Sequence, residues 1–397
     1  MKYDFNTLIS RKNTGSSKWE QMYKTNPNIG EDIVPLSVAD MELKNAPEII
    51  EGLREYLKSA VLGYTSPYKA FTDSVVDWMQ RRHNFSIKPQ WIVNTAGVVP
   101  AFFTAIRAFT KPGDGVVIMS PVYYPFYNAI NFNERTLVDC PLIEKNGYYT
   151  IDFEKFDEIT KKPENKLFLF CSPHNPVGRV WKVEELKKLE EIILKNNVTV
   201  ISDEIHHDII MPGYKHTVFQ TLSDELADRT ITCTAPSKTF NLAGMGISNI
   251  IIKNPVIKEK FIQEINNVSG FPFSILGYKA CELAYTKAEN WLEEFITVID
   301  ENQKIVKEFF EKNYPEIKAP LIEGTYLQWI DFRALGMDPK KMEDFMTNEA
   351  QLFLDEGYIF GKSGEGYERI NLAAPSWVIK AALERLDKAL KNYNLTA

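Results

Sequence analysis

Residues 198–208 read Val-Thr-Val-Ile-Ser-Asp-Glu-Ile-His-His-Asp, an apolar run that ends at Asp203. The runs that precede Asn175 and Lys238 have the same form. Short apolar runs of this kind, separated by helical segments, predict parallel strands that are buried on both faces. Because ligands in such sheets bind beyond the carboxyl ends of the strands, we expect the three polar side chains to lie close together there.

An amide, a carboxylate and an amine in this order are the groups that a protein needs to hold pyridoxal 5'-phosphate (PLP). The Lys238 amine forms a Schiff base, the Asp203 carboxylate keeps the pyridine nitrogen protonated, and the Asn175 amide donates to the phenolate oxygen. Each residue also has an ordinary interpretation. Lys238 could be a solvated loop lysine, Asp203 a helix N-cap and Asn175 a turn former before Pro176. The three together predict a PLP enzyme.

The phosphate of the cofactor needs backbone donors at the start of a helix. Residues 95–100, Thr-Ala-Gly-Val-Val-Pro, connect a predicted strand to a predicted helix. Gly97 permits a close approach of the backbone, and the helix opens at Val98 and Val99. An ordinary strand-to-helix turn explains these residues equally well. Ser237, next to the lysine, is a second predicted phosphate contact.

Three further side chains are candidates for the cofactor ring and the substrate. Tyr123 and Tyr124 follow a predicted strand, and one of them is expected to stack on the pyridine face. Arg369 lies in a predicted strand, where its planar guanidinium suits the carboxylate of an amino-acid substrate. The alternative is that the tyrosines are core residues and the arginine lies on the surface.

The order of predicted elements indicates an α/β fold with a mostly parallel sheet covered by helices. We predict a large domain over residues 46–288 and a smaller α+β domain made from residues 1–45 and 289–397. Residues 1–45 are otherwise irregular, with one strand-like piece at residues 34–41. Predicted helices cover residues 46–57, 99–109, 183–195, 291–313 and 378–390, and predicted strands cover residues 91–94, 116–119, 167–171, 198–202, 230–234, 247–252 and 325–332.

The composition is that of an ordinary globular protein. The 397 residues carry a net charge of −7 and include no basic cluster, which argues against nucleic-acid binding. The longest apolar stretch, residues 98–106, is shorter than the about 20 residues that span a bilayer, and the first residues lack the form of a signal peptide. The four cysteines have no CxxC spacing, so they fit neither a zinc site nor a disulfide framework. We therefore expect a reduced cytoplasmic protein.

His206, His207 and Asp208 follow Asp203 closely and could be mistaken for a metal cluster. Neighbours in sequence are not spaced to converge on one ion, and no distant histidine or cysteine pattern completes a ligand set. The sequence therefore predicts no metal site. His83 is expected to be a surface residue of a helix.

Four longer motifs resemble the MalY/PatB group of C–S β-lyases, which are fold-type I PLP enzymes of the aminotransferase class I/II superfamily. They are Pro-Leu-Ser-Val-Ala-Asp-Met at 35–41, Val-Leu-Gly-Tyr-Thr at 61–65, Ser-Asp-Glu-Ile-His-His-Asp at 202–208 and Ala-Pro-Ser-Lys-Thr-Phe-Asn at 235–241. The resemblance covers essentially the whole chain. It implies a PLP transferase-like fold and a homodimer in which Tyr64 reaches the phosphate in the neighbouring subunit's site.

The same resemblance assigns roles to other residues. It implies that Tyr123 stacks on the ring and that Arg369 binds the substrate carboxylate, with Asn175 beside it. Val38 and Ala39, within the first motif, are assigned to the substrate site.

Two positions depart from the pattern of the aminotransferases. His206 stands three residues after Asp203, where those enzymes usually carry a tyrosine that donates to the phenolate oxygen. Gly244-Met245-Gly246 stands where they usually carry a phosphate-binding arginine. Both departures resemble the C–S lyases, and they favour elimination over transamination.

The predicted reaction is α,β-elimination from cystathionine, cysteine or an S-substituted cysteine, giving pyruvate, ammonia and a thiol or sulfide. Lys238 is the predicted base for the α-proton, and either Lys238 or Tyr124 protonates the leaving sulfur. Two alternatives stay open. One is an aminotransferase on the same scaffold, since fold does not fix function. The other is a non-catalytic PLP-fold protein that regulates a partner.

Overall fold

The computed structural model describes residues 1–268 and 274–393, an α/β protein with long βα alternation. The helices are α1 Ser17–Thr25, α2 Pro47–Leu57, α3 Lys69–His83, α4 Val98–Phe109, α5 Pro125–Phe132, α6 Phe153–Thr160, α7 Val183–Asn196, α8 Asp224–Ala227, α9 Pro236–Thr239, α10 Pro255–Val268, α11 Ile275–Lys287, α12 Glu289–Asn313, α13 Pro339–Asp344 and α14 Ser376–Asn392. The strands are β1 Ile92–Thr95, β2 Gly115–Ile118, β3 Thr136–Asp139, β4 Ile143–Lys145, β5 Tyr148–Thr150, β6 Asn165–Cys171, β7 Thr199–Asp203, β8 Thr230–Thr234, β9 Ser248–Ile252, β10 Leu327–Asp331, β11 Asp355–Glu356 and β12 Tyr367–Asn371.

The main sheet has seven strands in the order β1-β9-β8-β7-β6-β2-β3. The strands from β8 to β3 run parallel, and β9 pairs antiparallel with both β8 and β1. The predicted mostly parallel α/β sheet is therefore confirmed. Because β6, β7 and β8 are adjacent, the segments that follow them meet at one end of the sheet.

Apolar side chains cover both faces of this sheet. Along β2, Val116 and Ile118 pack into one core cluster, whereas Val117 between them packs into another. The same alternation occurs in β7, where Ile201 faces the first cluster and Val200 the second. Helices α4 and α10 contribute to the first cluster, and α6 and α7 contribute to the second. This two-sided burial explains why the strands read as continuous apolar runs.

The two ends of the chain pack together beside the main sheet. Strands β10, β12 and β11 form a separate antiparallel sheet, and α12 packs against α14. The Leu36 N–H donates to the Phe353 carbonyl, and the Leu36 carbonyl accepts from the Asn371 N–H. These bonds join the N-terminal segment to the C-terminal sheet. The division of the chain at residues 46 and 288 stays a prediction.

Three segments differ from the expectations from sequence. Residues 34–41 form no strand: Leu36 makes single bonds to two neighbours and not a ladder, and the chain bends at Val38, whose φ is 54°. Helix α1 lies in the part that reads as irregular, and its buried Trp19 and Met22 give it a short apolar side. Helix α3 is not among the helix ranges predicted from sequence, and it buries Phe71, Val75 and Trp78 along one face. None of the helices in the described ranges is long and apolar enough to cross a bilayer.

Candidate active site

The segments after β6, β7 and β8 enclose a cavity of about 170 Å³. Asp203 is the last residue of β7, Asn175 lies beyond β6, and Lys238 lies in the short helix α9 that follows β8. The cavity is lined by Ala39, Ala96, Gly97, Val98, Val99, Pro100, Phe102, Tyr123, Cys171, Asn175, Asp203, Ile205, His206, Ser237, Lys238, Ala243 and Ile247. The three residues that predict a PLP site therefore face one space.

Asp203 brings a buried carboxylate to the floor of this cavity. Its Oδ1 accepts a hydrogen bond from the Ile205 N–H at 3.2 Å. Burial raises the pKa of Asp203 to about 7, although the Ile205 amide and the charge of Lys238 act in the opposite direction. A buried carboxylate is stabilised by a cationic or protonated partner. The side chain is thus suited to a protonated ring nitrogen.

Lys238 also lines the cavity, where its amine contacts a backbone carbonyl. Its Nζ donates to the Ala39 carbonyl at 2.6 Å, and the same carbonyl accepts from the Tyr326 hydroxyl at 2.8 Å. Burial lowers the pKa of Lys238 to about 8, and the charge of Arg369 adds to this while Asp40 opposes it. An amine with a depressed pKa is a better nucleophile and a better base near neutral pH.

Arg369 is fully buried and its guanidinium is held from two sides. Its Nη1 donates to Asn175 Oδ1 at 2.8 Å, and its Nε donates to Asp355 Oδ2 at 3.1 Å. The Val38 N–H donates to the same Asp355 oxygen at 2.9 Å. This chain of bonds fixes the guanidinium beside the cavity, so Arg369 is not the surface residue of the alternative interpretation.

The opposite end of the cavity is formed by the start of helix α4. Gly97 is its N-cap residue, and the amides of Val98 and Val99 are in the first turn, where backbone N–H groups have no intrahelical acceptor. Ser237, in the first turn of α9, also faces the cavity. Together these groups supply the donors that a phosphate requires.

The two tyrosines after β2 lie against the cavity and each other. Their ring centroids are 5.4 Å apart, and only Tyr123 lines the cavity. Burial raises the pKa of both Tyr123 and Tyr124, so both hydroxyls stay protonated at neutral pH. The position of Tyr123 suits the predicted stacking on the cofactor ring.

His206 is a neutral, buried histidine at the edge of the cavity. Burial holds its pKa well below the ordinary value, and the charges of Lys238 and Arg369 act in the same direction. Its Nδ1 is buried and has no hydrogen-bond partner among the described residues. An unpaired polar atom inside a protein indicates a missing partner, such as a ligand.

Four of the predicted site residues do not line the cavity of this chain: Val38, Tyr64, Tyr124 and Arg369. Arg369 is joined to the lining residue Asn175 by a hydrogen bond. Val38 is connected to the site by the hydrogen bond from its N–H to Asp355. Tyr124 is connected to it by the contact of its ring with Tyr123. Tyr64 lies on the loop between α2 and α3 with 95% of its surface exposed. Its predicted contribution to a neighbouring subunit therefore stays a prediction.

Two residues of the site were missed by the sequence analysis. Tyr326 donates to the Ala39 carbonyl that also binds Lys238, and Asp355 holds Arg369. Asp355 lies directly opposite Arg369 in the β11–β12 pairing. No local pattern predicts this relationship, because it depends on the register of two strands. Tyr326 directly precedes β10, and nothing in the sequence around it indicates the carbonyl that it contacts.

The residues of this cavity fit PLP. A buried carboxylate, an amine of lowered pKa and helix-start amides face one space, and His206 Nδ1 lies unpaired beside them. The fold and the site therefore define a PLP-dependent enzyme of fold type I.

The comparisons with known proteins agree. The chain belongs to the aminotransferase class I and II family, whose model matches residues 31–386. It is 39% identical to cystathionine β-lyase PatB of Bacillus subtilis, over 98% of this chain and 100% of that protein. It is 63% identical to cystalysin from Treponema denticola, whose crystal structure contains PLP, with a TM-score of 0.98 over 99% and 100% of the two chains. A PLP-bound C–S lyase from Staphylococcus hominis is 31% identical, with a TM-score of 0.91 over 98% of each chain. The predicted relationship to the MalY/PatB group is confirmed.

Proposed function

We propose that this protein is a carbon–sulfur β-lyase that cleaves cystathionine, cysteine or S-substituted cysteines by α,β-elimination. The observation that carries the proposal is the shared cavity of Lys238 and Asp203, with His206 where aminotransferases usually have a tyrosine. The relatives named cystathionine β-lyase and C–S lyase support the same reaction.

PLP, when bound, draws electrons away from the substrate Cα and so makes the α-proton acidic. Lys238 is the residue that holds the cofactor and then takes the α-proton on Nζ. Its pKa of about 8 leaves a useful fraction of the amine neutral near physiological pH. Asp203 keeps the ring nitrogen protonated from the floor of the cavity, and the amides of Gly97, Val98 and Val99, with Ser237, hold the phosphate.

Arg369 binds the substrate carboxylate, with Asn175 beside it. The guanidinium is already oriented by Asn175 and Asp355, so little conformational entropy is lost when the substrate binds. Ala39 lines the cavity and its carbonyl accepts from the Lys238 amine, and the neighbouring Val38 is held by Asp355. These contacts place the Cα–H bond close to Nζ.

The leaving sulfur needs a proton, and two residues are positioned to donate it. Lys238 carries the proton that it took from Cα, and Tyr124 keeps a protonated hydroxyl because its pKa is raised by burial. A Tyr124→Phe variant separates them. If Tyr124 is the donor, substrates with poor leaving groups lose more activity than substrates with good leaving groups.

The test is to incubate the purified protein with cystathionine and no added 2-oxo acid. Release of pyruvate and homocysteine, abolished in Lys238→Ala, supports the lyase. A strict requirement for a 2-oxo acid would establish the aminotransferase instead. A folded, PLP-loaded protein that converts no cysteine derivative in either assay would support the regulatory alternative. A panel of thioethers, scored by pyruvate, then identifies the preferred substrate.

We also propose a homodimer with sites shared between subunits. Tyr64 projects from a loop whose Val61 and Leu62 are also exposed, at 86% and 66%. Exposed apolar side chains next to one another are typical of an interface. Tyr64 is then the residue that reaches the phosphate of the neighbouring site. The buried free thiols of the four cysteines suit the reducing cytoplasm that we propose as the location.

A further inference from the structure

A second cluster of chemically reactive side chains lies on the far side of Lys238, outside the PLP cavity. His83 at the end of α3 meets His207 and Asp208 from the loop after β7. One ligand atom from each of the three lies within 4.8 Å of the others. We propose that these three residues bind a divalent transition-metal ion of the zinc class. This proposal departs from the prediction of no metal site, because the third ligand comes from a distant helix.

The distances between the ligand atoms suit such an ion. His83 Nε2 lies 2.8 Å from Asp208 Oδ1, and His207 Nε2 lies 3.5 Å from the same oxygen. Two ligands that each bind zinc at about 2.1 Å are themselves roughly 3 to 3.5 Å apart. The His207–Asp208 distance lies in this range, and the His83–Asp208 pair, which is at hydrogen-bond distance, would have to move apart slightly. Two imidazoles and one carboxylate with open positions are also a common ligand set for this class of metal.

The contacts of His207 leave one of its ring nitrogens with no hydrogen-bond donor among the described residues. Its Nδ1 contacts the Glu204 carbonyl, which cannot donate, so Nδ1 carries the hydrogen. In this tautomer Nε2 carries no hydrogen and offers a lone pair. This atom is fully buried and has no hydrogen-bond partner among the described residues. It lies 3.5 Å from Asp208 Oδ1, and a metal ion between the two atoms would give Nε2 a partner.

Surrounding residues hold the ligands as in known metal sites. A ligating histidine usually donates its other ring N–H to a carbonyl or carboxylate, as His207 does to Glu204. The Asp208 carboxylate accepts from the Trp78 Nε1–H at 3.1 Å and from the Thr239 hydroxyl at 2.8 Å. Because these bonds fix the carboxylate, the site needs little rearrangement to bind an ion.

An ion can reach the site from solvent through a cleft of about 590 Å³, lined by His83, His207 and Asp208. Arg82 also lines this cleft, but its guanidinium is paired with Glu289 and Glu293. Water from the cleft would complete the coordination. His83 Nε2 contacts Asp208 Oδ1 at 2.8 Å, so this ring would bind the ion in the tautomer that carries its hydrogen on Nδ1.

The site would connect three parts of the fold. It joins the end of α3 to the loop after β7. Asp208 also accepts a hydrogen bond from Thr239, the residue next to Lys238 in α9. An ion that binds only the folded protein stabilises it. We therefore expect zinc to raise the melting temperature of the holoenzyme by a few degrees, whatever its effect on catalysis.

The test uses the PLP-loaded protein with Zn²⁺ in calorimetry and Co²⁺ as a spectroscopic substitute. We expect one Zn²⁺ per chain and visible d–d absorption with Co²⁺. His83→Ala and Asp208→Asn should weaken binding by about tenfold or more and abolish the rise in melting temperature. His216→Asn is the matched control, because His216 lies in the same cleft but pairs with Glu204. Its binding should be unchanged.

Three results would overturn the proposal. The first is wild-type protein with neither d–d absorption nor stabilisation, a result that needs no variant. The second is equal affinity in wild type and His83→Ala, which would place the ion elsewhere. The third is loss of binding in His216→Asn, which would make the three-residue ligand set wrong.

Discussion

Arg369 Nη1 donates a hydrogen bond of 2.8 Å to Asn175 Oδ1, across 194 residues of sequence. The two residues belong to different sheets: Asn175 follows β6 of the main sheet, whereas Arg369 lies in β12 of the smaller one. The guanidinium that we propose for substrate binding is therefore aligned with the cavity by a direct contact between the segment after β6 and the smaller sheet. A change that loosens this contact should affect substrate binding before it affects the cofactor.

Asp355→Asn is expected to weaken substrate binding. Asp355 is the carboxylate that holds Arg369 and also accepts from the Val38 N–H. An amide at this position keeps the shape but removes the charge, so the guanidinium loses its alignment. We expect the KM for cystathionine to rise by about tenfold or more, with a smaller change in kcat. The control is Glu356→Gln, one residue along β11, which should keep its KM. A normal KM in Asp355→Asn would contradict this role.

Asp203→Asn is expected to reduce kcat on the order of 100-fold or more. Asparagine fills the same space but cannot keep a ring nitrogen protonated, so the cofactor loses most of its power to stabilise a carbanion. Asp203→Glu retains the charge and should be less impaired. The measurements are pyruvate release under saturating substrate and the cofactor content by absorbance. A fully loaded Asp203→Asn enzyme with wild-type kcat would rule out the assigned role.

Glu356 should make stability depend on pH. Burial raises its pKa to about 7, and the charges of Glu343 and Asp355 add to this. In the unfolded chain the group ionises at its ordinary, lower pKa. The folded protein therefore binds more protons between those two values, and stability falls as pH rises through about 7.

Glu356→Gln removes this ionisation and tests it. The free energy of unfolding of the variant should equal that of the wild type near pH 4. Above neutral pH it should be larger by about 2 kcal/mol. Urea denaturation at both ends of the range measures the difference. Glu365→Gln, an exposed glutamate of the same region, is the control and should show no such divergence. Equal stability of Glu356→Gln and wild type at alkaline pH would contradict the prediction.

The parts of the site that could be predicted from sequence are those defined by one strand and its following residues. Asn175, Asp203 and Lys238 each follow a buried strand, and parallel strands bring such residues to the same end of a sheet. The predicted fold class and six of the seven strands of the main sheet follow from the same local apolar patterns. Strand β3 is not predicted, because its side chains are exposed or half-buried and form no apolar run. Boundaries differ by one or two residues, as is usual at element ends.

The parts that could not be predicted depend on contacts between distant elements. Asp355 reaches Arg369 only through the register of β11 and β12. His83 reaches Asp208 because α3 packs where the loop after β7 passes, although it reads as a surface residue in sequence. The segment at residues 34–41 is apolar like a strand. Its Leu36, however, makes one backbone hydrogen bond to each of Phe353 and Asn371, and these two bonds do not form the ladder of a strand pair. A pattern along one segment contains no information about such partners.

Mixed dimers give the sharpest test of the proposed role of Tyr64. One chain carries Tyr64→Ala and the other carries Lys238→Ala, and each homodimer should be inactive or strongly impaired. In a mixed dimer, the site with the intact Lys238 receives the intact Tyr64 from its partner, so one of the two sites is complete. Random exchange makes half of the dimers mixed, and we expect recovery of roughly a quarter of wild-type activity. If Tyr64 acted within its own chain, no complete site would form and mixing would restore nothing. Size-exclusion chromatography of differently tagged chains confirms that exchange has occurred.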